Sequence, residues 1–391
     1  MEHKTAKKQI FFLALILSLL LLSLMSGCGS DTKLSPTPSQ TEPVSHPTAT
    51  PNQTQSSILV LYADTLIDFP KLLTFNLEVE SASTITDIEL QYKIKKVTSA
   101  SVITAIKPDF TPNSRVKVSW PWDTRKASLP PGAEIEYNWK IKNASGDILK
   151  TDAAKLTFDD SRYEWRELAE GKVRLFWYDG SKSFGQDLMD AAQGALKKLA
   201  QNAGAQLEKD CKIYIYSSSQ DLQAALVFPQ DWTGGIAFTE YGIVAIGVST
   251  SNLDWGKRTV AHELTHLVIR QVTYNVYNDL PTWLNEGLAM YAEGDLRVDL
   301  AGKLKDAISR DKLFSVRSLS GGFPANTEEA GLAYAQSYSL TNFLIETYGS
   351  DKMLNLLSVF KKGSSPDDAL LAVYGFDSDK LDSLWRGSLG L

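Results

Sequence analysis

Residues that usually carry chemistry are scarce in this chain: of 391 residues, two are cysteine and four are histidine. Two cysteines, Cys28 and Cys211, cannot build a disulfide framework, so the fold must be held by packing. Cys211 lies in KDCKIYIYSS, a strand-like apolar run, where a buried inert thiol is expected rather than a nucleophile. Net charge is small as well. A formal net charge of -6 offers no basic face of the kind a polyanion requires, which argues against nucleic-acid partners. What is present is globular composition, 43% hydrophobic and 22% charged, with length enough for two or three domains.

The first 28 residues read as a leader rather than part of a fold. Lys4, Lys7 and Lys8 precede an apolar run from Ile10 to Met25, short for a membrane span and suited to a signal peptide. It ends in LMSGCGS, which resembles the lipobox of bacterial lipoproteins. That resemblance implies cleavage before Cys28 and a lipid on its sulfur, hence an exported, membrane-anchored protein. Residues 29–56 hold five prolines and no aromatic residue, the composition of a disordered tether. Stretched at about 3.3 Å per residue it would reach roughly 90 Å.

Period-two alternation then begins. Leu73, Phe75, Leu77 and Val79 alternate with polar residues, and Ile88, Leu90, Tyr92 and Ile94 repeat the scheme. SRVKVSW, EIEYNWKIKN and DILKT add further strands, so residues 57–160 are expected to form an all-β sandwich. LPPGAEIEYNWKIKN resembles the late strands of immunoglobulin-like or fibronectin-III-like modules. Trp120, Trp122 and Trp139 suit core or edge packing better than a carbohydrate platform. Residues 161–391 form the second expected domain. Its pattern is mixed at first: strand 172–178, helix 184–203, strand 212–217, short helix 219–226, strands 235–239 and 243–249. Thereafter it is helical, with three to five helices expected beyond PTWLNEGLAMYAEG.

Within the helical part, TVAHELTHLVIR carries the chemistry. Residues four apart share a helix face, so His262 and His266 can point ring nitrogens at one metal ion, with Glu263 beside them. The remaining histidines, His3 and His46, fall in the leader and the tether, so the globular region spends its whole histidine complement on this pair. A catalytic zinc takes three protein ligands and keeps one open position; with no third histidine, the third ligand must be a carboxylate.

HExxH followed, after nineteen intervening residues, by the Glu286 of WLNEGLA resembles the gluzincin metallopeptidases, above all the zinc aminopeptidases. The stretch 172–387 is similar to the membrane-associated peptidase MA-like group of that clan. The resemblance implies an α+β zincin domain with a helical C-terminal part. It implies Zn2+ held by His262, His266 and Glu286, and Glu263 as general base on the attacking water. It also implies an oxyanion donor, for which Tyr334 of YAQS matches a Y-x-K-G segment best, although Gln336 and Ser337 replace lysine and glycine; Tyr338, one turn on, is the alternative. Gly235, Ile236 and Ala237 fall where the family pairs an edge strand with substrate backbone. The aminopeptidases carry an acidic residue there to capture a free amine, and GGIAF lacks it, which favours an endopeptidase. Peptide or protein is therefore the expected substrate, and a monomer the expected state. The rival reading is a catalytically silent lipoprotein using this fold as a binding or cell-envelope scaffold, against which the intact HExxH argues.

Overall fold

The computed structural model describes residues 57–227, 234–277 and 279–391. The leader, Cys28 and the tether lie outside the described residues. The chain divides into two compact units, with the boundary between Tyr274 and Asn275. Among the described residues no helix is long and apolar enough to cross a membrane.

The first unit opens with a seven-stranded sheet organised around one strand. Strands β1 (Ile58–Asp68), β2 (Leu72–Ile94), β3 (Ile103–Ile106), β4 (Asn113–Asp123), β5 (Ala133–Asn143), β6 (Ile148–Lys150) and β7 (Ala154–Phe158) form it. β2 is 23 residues long, where the two alternating runs suggested two separate strands. Its first half pairs with β1 and β4, its second with β3 and β5, all antiparallel. The alternation explains why one strand can serve both. Buried positions are odd in the first run (Leu73, Phe75, Leu77, Val79) and even in the second (Ile88, Leu90, Tyr92). A strand can change parity without turning its apolar face to water only through a bulge, and the register does shift between Ile85 and Asp87. The two halves then face one another: Phe75 and Tyr92 stack at 6.2 Å, and Phe75 meets Tyr137 edge-on at 5.0 Å. Trp120 and Trp122 close this aromatic cluster, 5.8 Å from Phe75 and 4.8 Å from Tyr92, while Trp139 is fully buried. Each fully buried side chain of this size contributes about 1.5–3 kcal/mol.

A second, five-stranded sheet follows: β8 (Arg166–Glu170), β9 (Val173–Trp177), β10 (Cys211–Tyr216), β11 (Gly235–Phe238) and β12 (Ile243–Gly247), ordered β11-β12-β10-β9-β8. The central three strands are parallel and both edges antiparallel. One face joins the core of the seven-stranded sheet through Tyr214 and Tyr216. Their hydroxyls donate to Asp159 (3.1 Å) and Asp160 (3.0 Å), and Trp165 meets both rings edge-on at 5.2 Å. Helices α1 (Lys182–Asn202), α2 (Ser219–Ala225) and α3 (Leu253–Thr273) complete the unit, α3 packing against α1, β11 and β12. Strand β8 was not foreseen; every residue of RELAE is exposed or half-buried, so its sequence carries no alternation to read.

Among the described residues seven helices form the second unit: α4 (Thr282–Glu293), α5 (Val298–Ser309), α6 (Val316–Leu319), α7 (Thr327–Tyr348), α8 (Ser350–Phe360), α9 (Pro366–Tyr374) and α10 (Ser378–Ser388). Six thus follow α4 instead of three to five, the extra one being the single turn α6. Caps set most of the breaks. The Asn326 carboxamide oxygen accepts from the amides of Glu328 and Glu329, Ser365 precedes Pro366, and Gly349 and Gly375 end helices at positive φ.

Candidate metal centre

The helix that carries the two histidines is built to hold them in register. α3 runs 21 residues without proline, and its hydroxyl residues bond back along the helix, Thr259 to the Trp255 carbonyl and Thr265 to that of Ala261. His262 and His266 accordingly lie one turn apart and meet edge to face, ring centroids 4.9 Å apart and planes at 80°. His266 and Glu263 are buried and His262 is half-buried.

Glu286 stands on α4. Pro281 takes the N-cap position, where the amide it lacks would have had no partner within the helix, and the Thr282 amide donates to the Ser320 carbonyl. The residue after it, Gly287, packs directly against α7. A Cβ there would lie 2.1 Å from Thr341 Oγ1 and 2.4 Å from the Ser337 carbonyl oxygen, so only glycine permits this approach. Glu286 is 6% exposed.

Ligand atoms of His262, His266 and Glu286 all lie within 4.8 Å of one another. Two imidazoles and one carboxylate are the donor set of a catalytic zinc site, with bonds of about 2.0–2.2 Å and a fourth position left open. Three donors that close can share one ion after small adjustments, so these residues fit a divalent cation of zinc's preferences. Among the described residues this is the group of histidine, cysteine and acidic side chains that could hold a metal.

Strand β11 carries Gly235, Ile236 and Ala237 at the edge of the five-stranded sheet; among the described residues it bonds only to β12, in the register Gly235 to Ile246 and Ala237 to Val244. Gly235 backs directly onto α3. A Cβ there would come 2.9 Å from Glu263 Oε1 and 3.0 Å from Thr259 Cγ2. That contact was not foreseen from the sequence, although GG before a short apolar run hints at a close approach. Tyr334 lies on α7, buried, with Phe323 edge-on at 5.1 Å; Tyr338 follows it one turn later and is half-buried. Gln336 is fully buried, its carboxamide both accepting from the Phe314 amide (2.9 Å) and donating to the Phe314 carbonyl (3.1 Å). Cys211 is buried in β10, and burial, aided by Asp210, pushes its thiol up to about 12, as an inert structural cysteine requires.

The chain thus comprises a β-rich sheet, a mixed sheet with the HExxH helix packed on it, and a helical C-terminal unit, the parts of a Peptidase MA-like fold. A family model for the Peptidase MA superfamily matches residues 191–390, just over half of the sequence, and the chain belongs to that superfamily. Solved structures similar to it include an M1 zinc metallopeptidase mutant from Deinococcus radiodurans, 12% identical, covering 81% of this chain and 90% of that one with a TM-score of 0.38. Legionella pneumophila aminopeptidase A is 11% identical over 86% of this chain and 50% of its own, with a TM-score of 0.35. OgpA from Akkermansia muciniphila is 10% identical over 27% of this chain and 28% of its own, with a TM-score of 0.21. No curated protein matches the sequence.

Proposed function

We propose that this chain is a zinc-dependent endopeptidase, held outside the cytoplasm by a lipid on Cys28 and a tether over residues 29–56. The observation that carries the reading is the close grouping of His262, His266 and Glu286. Zinc, when bound, supplies a Lewis acid that polarises the scissile carbonyl and acidifies water. Glu263, beside the ligands in sequence and not among them, takes a proton from the attacking water and passes it to the leaving amine. Its burial shields that exchange from bulk water. Tyr334 is the assigned donor to the tetrahedral oxyanion, its burial favouring it over Tyr338.

Substrate lies along Gly235, Ile236 and Ala237, adding a strand to the edge of β11. GGIAF places an alanine and apolar neighbours where an aminopeptidase holds a carboxylate for the free amine, and a site without that anion has no reason to demand a chain end. The β-rich region, with the two halves of β2 facing across an aromatic core, supports membership of the immunoglobulin-like sandwich class.

The test is metal analysis of the purified chain together with hydrolysis of a peptide library with acetylated N-termini, by wild type and Glu263→Gln. One zinc per chain in both proteins is expected, with internal cleavage by wild type and turnover about 10²–10⁴-fold lower in the variant. Cleavage confined to free N-termini would overturn the endopeptidase reading. Equal measurable turnover in the two proteins would remove Glu263 from the mechanism, and zinc binding with no turnover in either would leave a binding scaffold as the better account.

A further inference from the structure

The β-rich layer touches the five-stranded sheet at a second place besides the Tyr214 and Tyr216 face, and that place is the turn joining β11 to β12. Immediately after β2, the Val97 amide donates to the Glu240 carbonyl at 2.7 Å. Lys96 Nζ lies 2.5 Å from a Glu240 carboxylate oxygen and 5.9 Å from the centre of the Tyr241 ring. Gly242, at φ +68, leaves room for the Val97 side chain, whose Cγ2 would stand 3.2 Å from a Cβ there. Within the turn, the Tyr241 amide donates to the Phe238 carbonyl at 2.9 Å. The opposite end of the same hairpin is Gly235, packed on Glu263.

β12 is held from both sides, by β10 and β11, but β11 is only four residues long and among the described residues pairs with β12 alone, so it is the weakly held strand. Fixing the turn that joins it to β12 restrains where β11 can lie. We propose that the β-rich layer positions β11: Lys96 and Val97 clamp Glu240–Gly242, and so hold Gly235–Phe238 against α3 at the place where substrate backbone pairs. Lys96 and Glu240 are positioning residues that act through the strand and touch no substrate. This rests on β11 being the substrate strand as proposed above.

The experiment uses the full chain with zinc and compares wild type, Lys96→Glu, Lys96→Glu/Glu240→Lys and the milder Lys96→Ala. Two readouts are taken: hydrogen exchange of the Gly235–Phe238 amides, and KM and kcat on an acetylated peptide that wild type cleaves. Opposing two carboxylates at the clamp should speed exchange of those amides about fivefold and raise KM about fivefold, with kcat within about twofold, the scale of a lost ion pair. Lys96→Ala should move both in the same direction by about twofold, and the charge-swapped pair should restore both toward wild type. Unchanged exchange in Lys96→Glu, or no recovery in the swapped pair, would overturn the clamp. Because exchange needs no substrate, a protein with no peptidase activity but an accelerated strand would sink the enzymatic reading and leave the clamp standing.

Discussion

Replacing Gly287 with alanine tests whether the crossing of α4 and α7 is as tight as the geometry states. The new methyl would sit 2.1 Å from Thr341 Oγ1 and 2.4 Å from the Ser337 carbonyl oxygen, where ordinary contact begins at 3.4 Å. The threonine hydroxyl can rotate aside; the carbonyl is main chain in mid-helix and cannot. The helices must therefore part by about 1 Å, and overpacking of this kind costs about 1–3 kcal/mol. Alanine returns about 1 kcal/mol through its helix propensity, so the net loss is about 0–2 kcal/mol, or a Tm lower by up to about 8 °C, and the full cost of about 1–3 kcal/mol shows only against a control that gains the same propensity. Gly302 supplies the control. It lies exposed in α5 with no heavy atom within 4 Å of a Cβ, so Gly302→Ala gains the propensity term alone and should raise stability by about 0.5–1 kcal/mol. Both variants would be melted by circular dichroism in chelator, so that metal binding does not enter the comparison. If Gly287→Ala melts at or above Gly302→Ala, the close crossing is refuted, and with it the reason given for a glycine directly after Glu286.

Two further outcomes follow from buried groups. Tyr334→Phe should lower kcat by about 10²-fold while leaving bound zinc, measured by metal analysis, unchanged; unaltered kcat would pass the role to Tyr338. The Cys211 thiol, raised to about 12 by burial, stays protonated at any ordinary assay pH and should resist iodoacetamide in the folded chain, reacting only once denaturant is added.

How much of this was legible in the sequence depends on whether the information was local. Period-two burial in β2 and the helical spacing of His262 and His266 are local facts, and both survive into the structure. The continuity of β2 was not local. ESAST between its two runs has the composition of a turn, and only the partners β1, β4, β3 and β5, arriving from elsewhere in the chain, keep it extended through a bulge. Gly235 and Gly287 show the same limit from the other side. A glycine announces that something comes close, but not what, and in these two cases the neighbours, Glu263 and the α7 backbone, are 28 and about 50 residues away.

The departures from Y-x-K-G in YAQS take on a physical meaning once α7 is in place. Gln336 is clasped in both directions by the Phe314 main chain, tying the middle of α7 to the segment before α6. Ser337 is fully buried, donates to the Ala333 carbonyl at 2.7 Å, and offers its own carbonyl to the crossing at Gly287. A lysine at 336 would bring an unpaired buried charge where a carboxamide now satisfies both a donor and an acceptor. Glycine at 337 would loosen the helix at a turn that packs against α4. Both replacements thus serve packing within the helical unit, and neither removes the phenol of Tyr334, which sits one turn before Tyr338 on the same helix and is the more buried of the two. The altered motif therefore speaks to how α7 is anchored, and leaves the assignment of the oxyanion donor to rest on the tyrosine itself.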